Sequence, residues 1–84
     1  MPRFLFMGVM EAWELAAIAR KKQESGDLDG AMKDVEAALA IDPRHAEAIH
    51  VRAHVWRDRG RFWRSIRDFK RAAKLASADY RNFY

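Results

Sequence analysis

Apolar positions recur along this chain at the spacing of a helix rather than of a strand. Leu15, Ile18, Ala19 and Lys22 fall at i, i+3, i+4, i+7, and Trp13, Ala16, Arg20 and Gln23 line a second face. The pattern predicts a helix over 12–25, closed by Ser25-Gly26, because glycine accepts the left-handed conformation that ends a helix. Asp27 is placed to cap the next helix, predicted over 28–41 with Leu28, Ala31, Met32, Val35, Ala38 and Leu39 as its buried stripe. Asp42-Pro43 stops it, since the residue before proline is driven out of the helical region. A third helix is predicted over 44–59, with Ile49, Ala53 and Trp56 inward, and ends at Gly60. A fourth, over 62–76, has Phe62, Ile66, Phe69 and Ala72 inward, and residues 79–84 read as the start of a further helix. Loops this short make successive helices antiparallel.

The pattern also repeats as a whole. At an offset of 34 residues Gly26 meets Gly60, Leu28 meets Phe62, Asp34 meets Asp68, Val35 meets Phe69 and Ala38 meets Ala72. Ala12 meets Ala46 and Ala19 meets Ala53 in the same register. Agreement at turn, core and small-residue positions is the mark of a repeat architecture. A single helical hairpin has more apolar surface than it can cover, so copies must stack, and stacking leaves one curved inner face. That face would carry Trp13, Ala16, Arg20, Gln23, Glu47, His50, His54 and Arg57.

The spacing Leu15-x2-Ile18-Ala19-x2-Lys22, Ala31-x3-Val35, Pro43 resembles the tetratricopeptide (TPR) repeat, and so does Ile49-x2-Arg52-Ala53-x2-Trp56, Ser65-x3-Phe69. The resemblance covers two units, 12–45 and 46–79. It implies an all-α superhelix of two TPR hairpins, with an apolar N-terminal extension over 1–11 and the start of a C-terminal helix at 80–84. It further implies a concave groove lined by the first helix of each unit. Lys22, where the family has an aromatic, Ser65 and Ser77 depart from the pattern. Arg52-Ala53 followed by Asp68 resembles the co-chaperone branch, which grips a terminal carboxylate. Ala16 and Val51 stand where that clamp needs polar side chains, so the clamp itself is not expected.

Composition adds a polarity. The chain has 84 residues and a formal charge of +4, but residues 1–43 carry five Lys/Arg against eight Asp/Glu, and residues 44–84 eleven against four. One end is acidic and the other strongly basic, which bears on partners rather than fold. There is no cysteine, which suits the reducing cytoplasm. The apolar run Phe4-Leu5-Phe6-Met7-Gly8-Val9-Met10 is too short to span a bilayer, which takes about 20 residues, and is a poor signal peptide. Residues 1–11 read as a helical extension on the first repeat, or as a segment that plugs a groove, its own or a neighbour's.

Few residues suggest chemistry. His50 and His54 are one turn apart, with Asp58 a turn further, a spacing that can chelate a metal; two polar groove residues explain it as well, and no metal or cofactor is expected. Nothing marks a nucleophile, a phosphate loop or a carboxylate pair, so the chain is not expected to be an enzyme. Arg52 on an apolar face needs a partner, and the expectation is an inter-repeat ion pair with Asp34. Arg64, Arg67, Arg71 and Lys74 form one basic stripe flanked by Trp63 and Lys70, either solvated or a contact for an acidic protein or nucleic acid. The functional expectation is a non-catalytic module that holds a peptide or protein partner in the groove. The alternatives are head-to-tail stacking into a homo-oligomer and binding through the basic face.

Overall fold

The computed structural model describes the backbone of residues 10–83 and the side chains of residues 10–78. The expectation for an N-terminal extension therefore falls largely outside the described residues. Four helices follow one another: α1 (Ala12–Glu24), α2 (Leu28–Ile41), α3 (Ala46–Asp58) and α4 (Phe62–Phe83). The described residues are all-α.

The two intra-hairpin turns are the same turn. Gly26 has φ +93° and Gly60 φ +79°, values that an L side chain rarely adopts. In each turn the glycine N–H bonds back to the helix, Gly26 to the Gln23 carbonyl at 3.1 Å and Gly60 to that of Arg57 at 2.9 Å. The next residue reaches one position further back, Asp27 to Lys22 and Arg61 to Trp56, both at 2.8 Å. This pair of bonds is the Schellman stop. Asp27 caps α2 by accepting from the Gly30 N–H at 3.0 Å. His45 Nδ1 caps α3 by accepting from the Ala48 N–H at 3.2 Å, a role the sequence pattern did not suggest.

Packing follows the hairpins. α1 packs on α2 and α3 on α4, and α3 also lies against both α1 and α2. α4 touches α3 alone among the described helices, so the array stays open instead of closing into a four-helix bundle. Three apolar clusters run along it. Ala19, Ala31, Val35, Val51 and Val55 join α1, α2 and α3; Ala12, Ala16, Ala38 and Ala48 form a small-residue contact; Ile49, Ala72 and Leu75 join α3 to α4. Leu39 packs against all three. Alanines at the closest contacts let helix axes approach tightly.

Two expectations are corrected. α4 does not end at residue 76 with a new helix beginning at 80; it runs unbroken to Phe83. With Ser77 where the first unit has Pro43, and no glycine after Gly60, nothing interrupts its hydrogen bonding. Phe62 and Ile66 do not face inward; they are 62% and 45% exposed. Of the expected stripe Ala72 is buried, and it shares the inward face with Ser65, Asp68 and Leu75, a face rotated about a quarter turn from the expected one.

Candidate functional site

The inner faces of α1 and α3 meet side by side and form an open cleft of ≈ 430 Å³. Arg20, Gln23 and Glu24 line it from α1, and Glu47, His50, Val51, His54 and Arg57 from α3. These positions recur every three or four residues on each helix, so regular helical geometry alone brings them to one side. Six of the eight residues expected on the inner face are thus gathered: Arg20, Gln23, Glu47, His50, His54 and Arg57.

Their polar groups are already engaged across the cleft. Arg20 Nη1 lies 3.0 Å from Glu47 Oε2, linking α1 to α3. Gln23 Nε2 donates to Asp58 Oδ2 at 2.8 Å, a second link between the same helices, and Arg57 Nε lies 3.8 Å from Asp58 Oδ1. The imidazoles of His50 and His54 stand edge to face with centroids 4.8 Å apart. Both also meet the Phe69 ring of α4, at 5.3 and 5.0 Å. Burial, then the positive charge of Arg57 and the neighbouring His50, push His54 below its ordinary pKa of 6.5; Asp58 and Glu24 oppose this more weakly.

The remaining site residues fall elsewhere. Ala16 is fully buried in the alanine contact with Ala38 and Ala48, so it is core and not groove. A methyl group on the side turned toward α3 has no route to the open face. Trp13 is 61% exposed at the rim, where its Nε1 donates to Glu11 Oε1 at 3.2 Å, and it borders a shallow depression with Ala17, Arg20, His45 and Glu47. Glu24 and Val51 belong to the cleft but were not expected there. Glu24 follows Arg20 at i+4, a signal that could have found it, whereas Val51 is floor rather than wall, 1% exposed.

The expected ion pair between Asp34 and Arg52 does not form. Arg52 makes a two-pronged contact with Asp68 of α4, Nε to Oδ2 at 2.7 Å and Nη2 to Oδ1 at 3.1 Å. Asp34 instead meets Lys22 Nζ at 2.9 Å. The Asp34 carboxylate holds Lys22 above its ordinary pKa, with desolvation opposing. Asp34 and Asp68 are the same position of the repeat, and each faces the first helix of its own hairpin. The cation shifts by one turn, from Lys22 in the first unit to Arg52, the counterpart of Ile18, in the second.

Arg64, Arg67, Arg71 and Lys74 are all exposed on α4, as is Trp63 at 85%. Arg64 lies 5.0 Å above the Trp56 ring. Among the described residues none of these four cations has a carboxylate within 4.0 Å. Among the same residues no three metal-ligating side chains converge, and Asp58, the third member of the histidine series, is held by Gln23 and Arg57. No described helix is long and apolar enough to cross a membrane.

No family model, curated protein or solved structure matches this chain.

Proposed function

We propose that the chain is a TPR-type, non-catalytic interaction module that holds a peptide or partner segment in the groove between α1 and α3. The observation that carries this reading is the convergence of Arg20, Gln23, Glu47, His50, His54 and Arg57 around one open cleft. The 34-residue offset and the identical glycine turns support the family assignment. The cleft mixes two guanidinium groups, two imidazoles and the carboxylates of Glu24 and Glu47 over an apolar floor at Val51. Such a surface recognises side chains of both signs and suits an extended segment more than a single small anion.

A random-peptide display selection on the immobilised full chain tests it. Enriched peptides should lose binding to Arg57→Glu and His54→Ala, and retain it with Arg71→Glu, which lies on the far face. Peptides that bind all three variants alike, or a selection that enriches nothing, would overturn the reading. The exposed cations of α4, which meet no carboxylate among the described residues, favour a second reading, contact with an acidic protein or nucleic acid. Its mark would be Arg71→Glu weakening a strongly salt-dependent association.

A further inference from the structure

One face of α4 is basic over about three turns. Trp63, Arg67, Lys70 and Lys74 fall at i, i+4, i+7, i+11, a single line on the helix, with Arg64 and Arg71 beside it. All six are exposed, Trp63 by 85%. The repeat shows that this line faces solvent even where a further helix packs on the hairpin. Thirty-four residues earlier it reads Asp29, Lys33, Glu36 and Ala40, and all four are exposed although α3 lies against α2. The fold therefore accepts mixed charge at these positions and does not require the basic run. Between residues 61 and 78 the chain carries six Lys/Arg and one acid, Asp68, which is buried and taken by Arg52. Residues 1–9 contain no acid and residues 79–84 only Asp79, so the basic excess does not depend on them. Where the line starts, Gly60, Arg61, Phe62, Trp63 and Arg64 surround a depression of ≈ 430 Å³.

We infer that this face binds single-stranded nucleic acid, with phosphates along Arg67, Lys70, Arg71 and Lys74 and one base stacked on Trp63. The inference deepens the second reading above and rests on it; it does not depend on what the groove between α1 and α3 holds. Charge complementarity calls for a polyanion, and the geometry chooses among polyanions. Cations recur along α4 every three or four residues, about 5 Å along the axis. With phosphates about 3.4 Å apart along a stacked strand, one cation falls to every one or two phosphates. The exposed indole between Arg64 and Arg67 in sequence gives a base a π-face with cations beside it. An acidic side chain has no flat group to lay there. A duplex keeps its base faces inside the stack, so an unpaired strand is the form that uses Trp63. A second copy offers no match, because Asp29, Lys33 and Glu36 on the corresponding face of α2 alternate in sign.

Fluorescence anisotropy tests this, with labelled oligo-dT and oligo-U strands of about 12 nucleotides titrated with the full chain at several salt concentrations. With four phosphates contacted, log affinity should fall against log salt with a slope of about −3, and Arg67→Gln should reduce that slope by about 0.7. Trp63→Ala should weaken binding about 5- to 100-fold at unchanged slope, and Trp63→Phe should keep most of the affinity. Both substitutions are at exposed positions, and helical circular dichroism should be unchanged in each. The dT and U strands should bind alike, since phosphates and base faces are common to both. A polyglutamate peptide of equal charge should bind more weakly and should not distinguish Trp63→Ala from the parent chain. Polyglutamate binding as tightly as the strands would make an acidic protein the partner, which overturns the inference and leaves the second reading standing. No salt-dependent binding of any probe overturns both. Full affinity in Trp63→Ala, or duplex DNA bound as tightly as the strands, overturns the inference. So does strand binding lost in Arg57→Glu but kept in Arg71→Glu, which would put the strand in the groove.

Discussion

Arg52→Ala is the sharpest perturbation of this fold. Asp68 is 2% exposed and its two oxygens accept from Arg52 Nε and Nη2 at 2.7 and 3.1 Å. Removing the guanidinium strands a buried carboxylate between α3 and α4 without its cation. Breaking a buried pair in this way costs about 3–5 kcal/mol. The Arg52 side chain is 29% exposed, so solvent reaches its end of the pair and the low end, about 3 kcal/mol, applies. In a domain of this size each kcal/mol moves the melting temperature by about 4–8 °C, so Arg52→Ala should lower it by about 12–24 °C. Asp68→Ala should cost less, because the freed guanidinium can turn to water. The double variant Arg52→Met, Asp68→Leu should recover most of the loss, since similar apolar volume replaces the pair without stranding a charge. Thermal unfolding followed by circular dichroism reads all three. If Arg52→Ala shifted the midpoint by no more than Asp34→Ala, or if the double variant were the worst of the set, the assignment of the pair would be wrong.

His54 gives a pH signature. Its pKa lies below the ordinary 6.5 in the folded chain, so the unfolded chain takes up the proton first as pH falls. Stability from this group is complete above about pH 6.5 and is lost as pH drops through 6.5 toward the lower folded value. His54→Gln should flatten the fall of melting temperature between pH 7 and pH 5; an unchanged slope would place the titration elsewhere. Leu39→Ala tests the linkage of the three apolar clusters. As a half-buried leucine it should cost about 2 kcal/mol, the low end for a leucine truncation. Leu15→Ala, which touches one cluster, should cost less in the same urea melt, and the reverse order would show that the clusters do not meet at Leu39.

Most of the architecture was legible because it rests on backbone punctuation and period. Gly26, Gly60 and Pro43 set the turns, and the 3.6-residue spacing set the helices between them. The errors share one physical source. Periodicity says which residues share a face but not toward which neighbour that face turns. The stripe of Phe62, Ile66 and Phe69 was real, yet its counterpart in the first hairpin packs against α3, whereas among the described helices α4 touches α3 alone. Arg52 was rightly seen to need a carboxylate, but two aspartates sit at one repeat position, and only packing decides between them. Ala16 shows the same limit from the other side. It shares a helical face with Arg20 and Gln23, but a methyl group one turn away from them reaches only the core.

The groove is legible as a set of residues but not as a state of charge, and that state bears on how it would bind. Arg20 is held by Glu47, and Asp58 is contacted by both Gln23 and Arg57. Two of these contacts, Arg20–Glu47 and Gln23–Asp58, run from α1 to α3, so the groups that would meet a ligand also tie one hairpin to the next. The Arg20 and Glu47 side chains are 54% and 40% exposed, and exposed pairs contribute about 0–1 kcal/mol. A ligand carboxylate can therefore take the place of Glu47 on Arg20 at little net cost, and a ligand amide can take the place of Gln23 on Asp58. Under the proposed function, such an exchange would release Glu47 to solvent while the ligand carboxylate takes its place on Arg20. On that reading the side-chain pattern along the segment would decide which groups exchange.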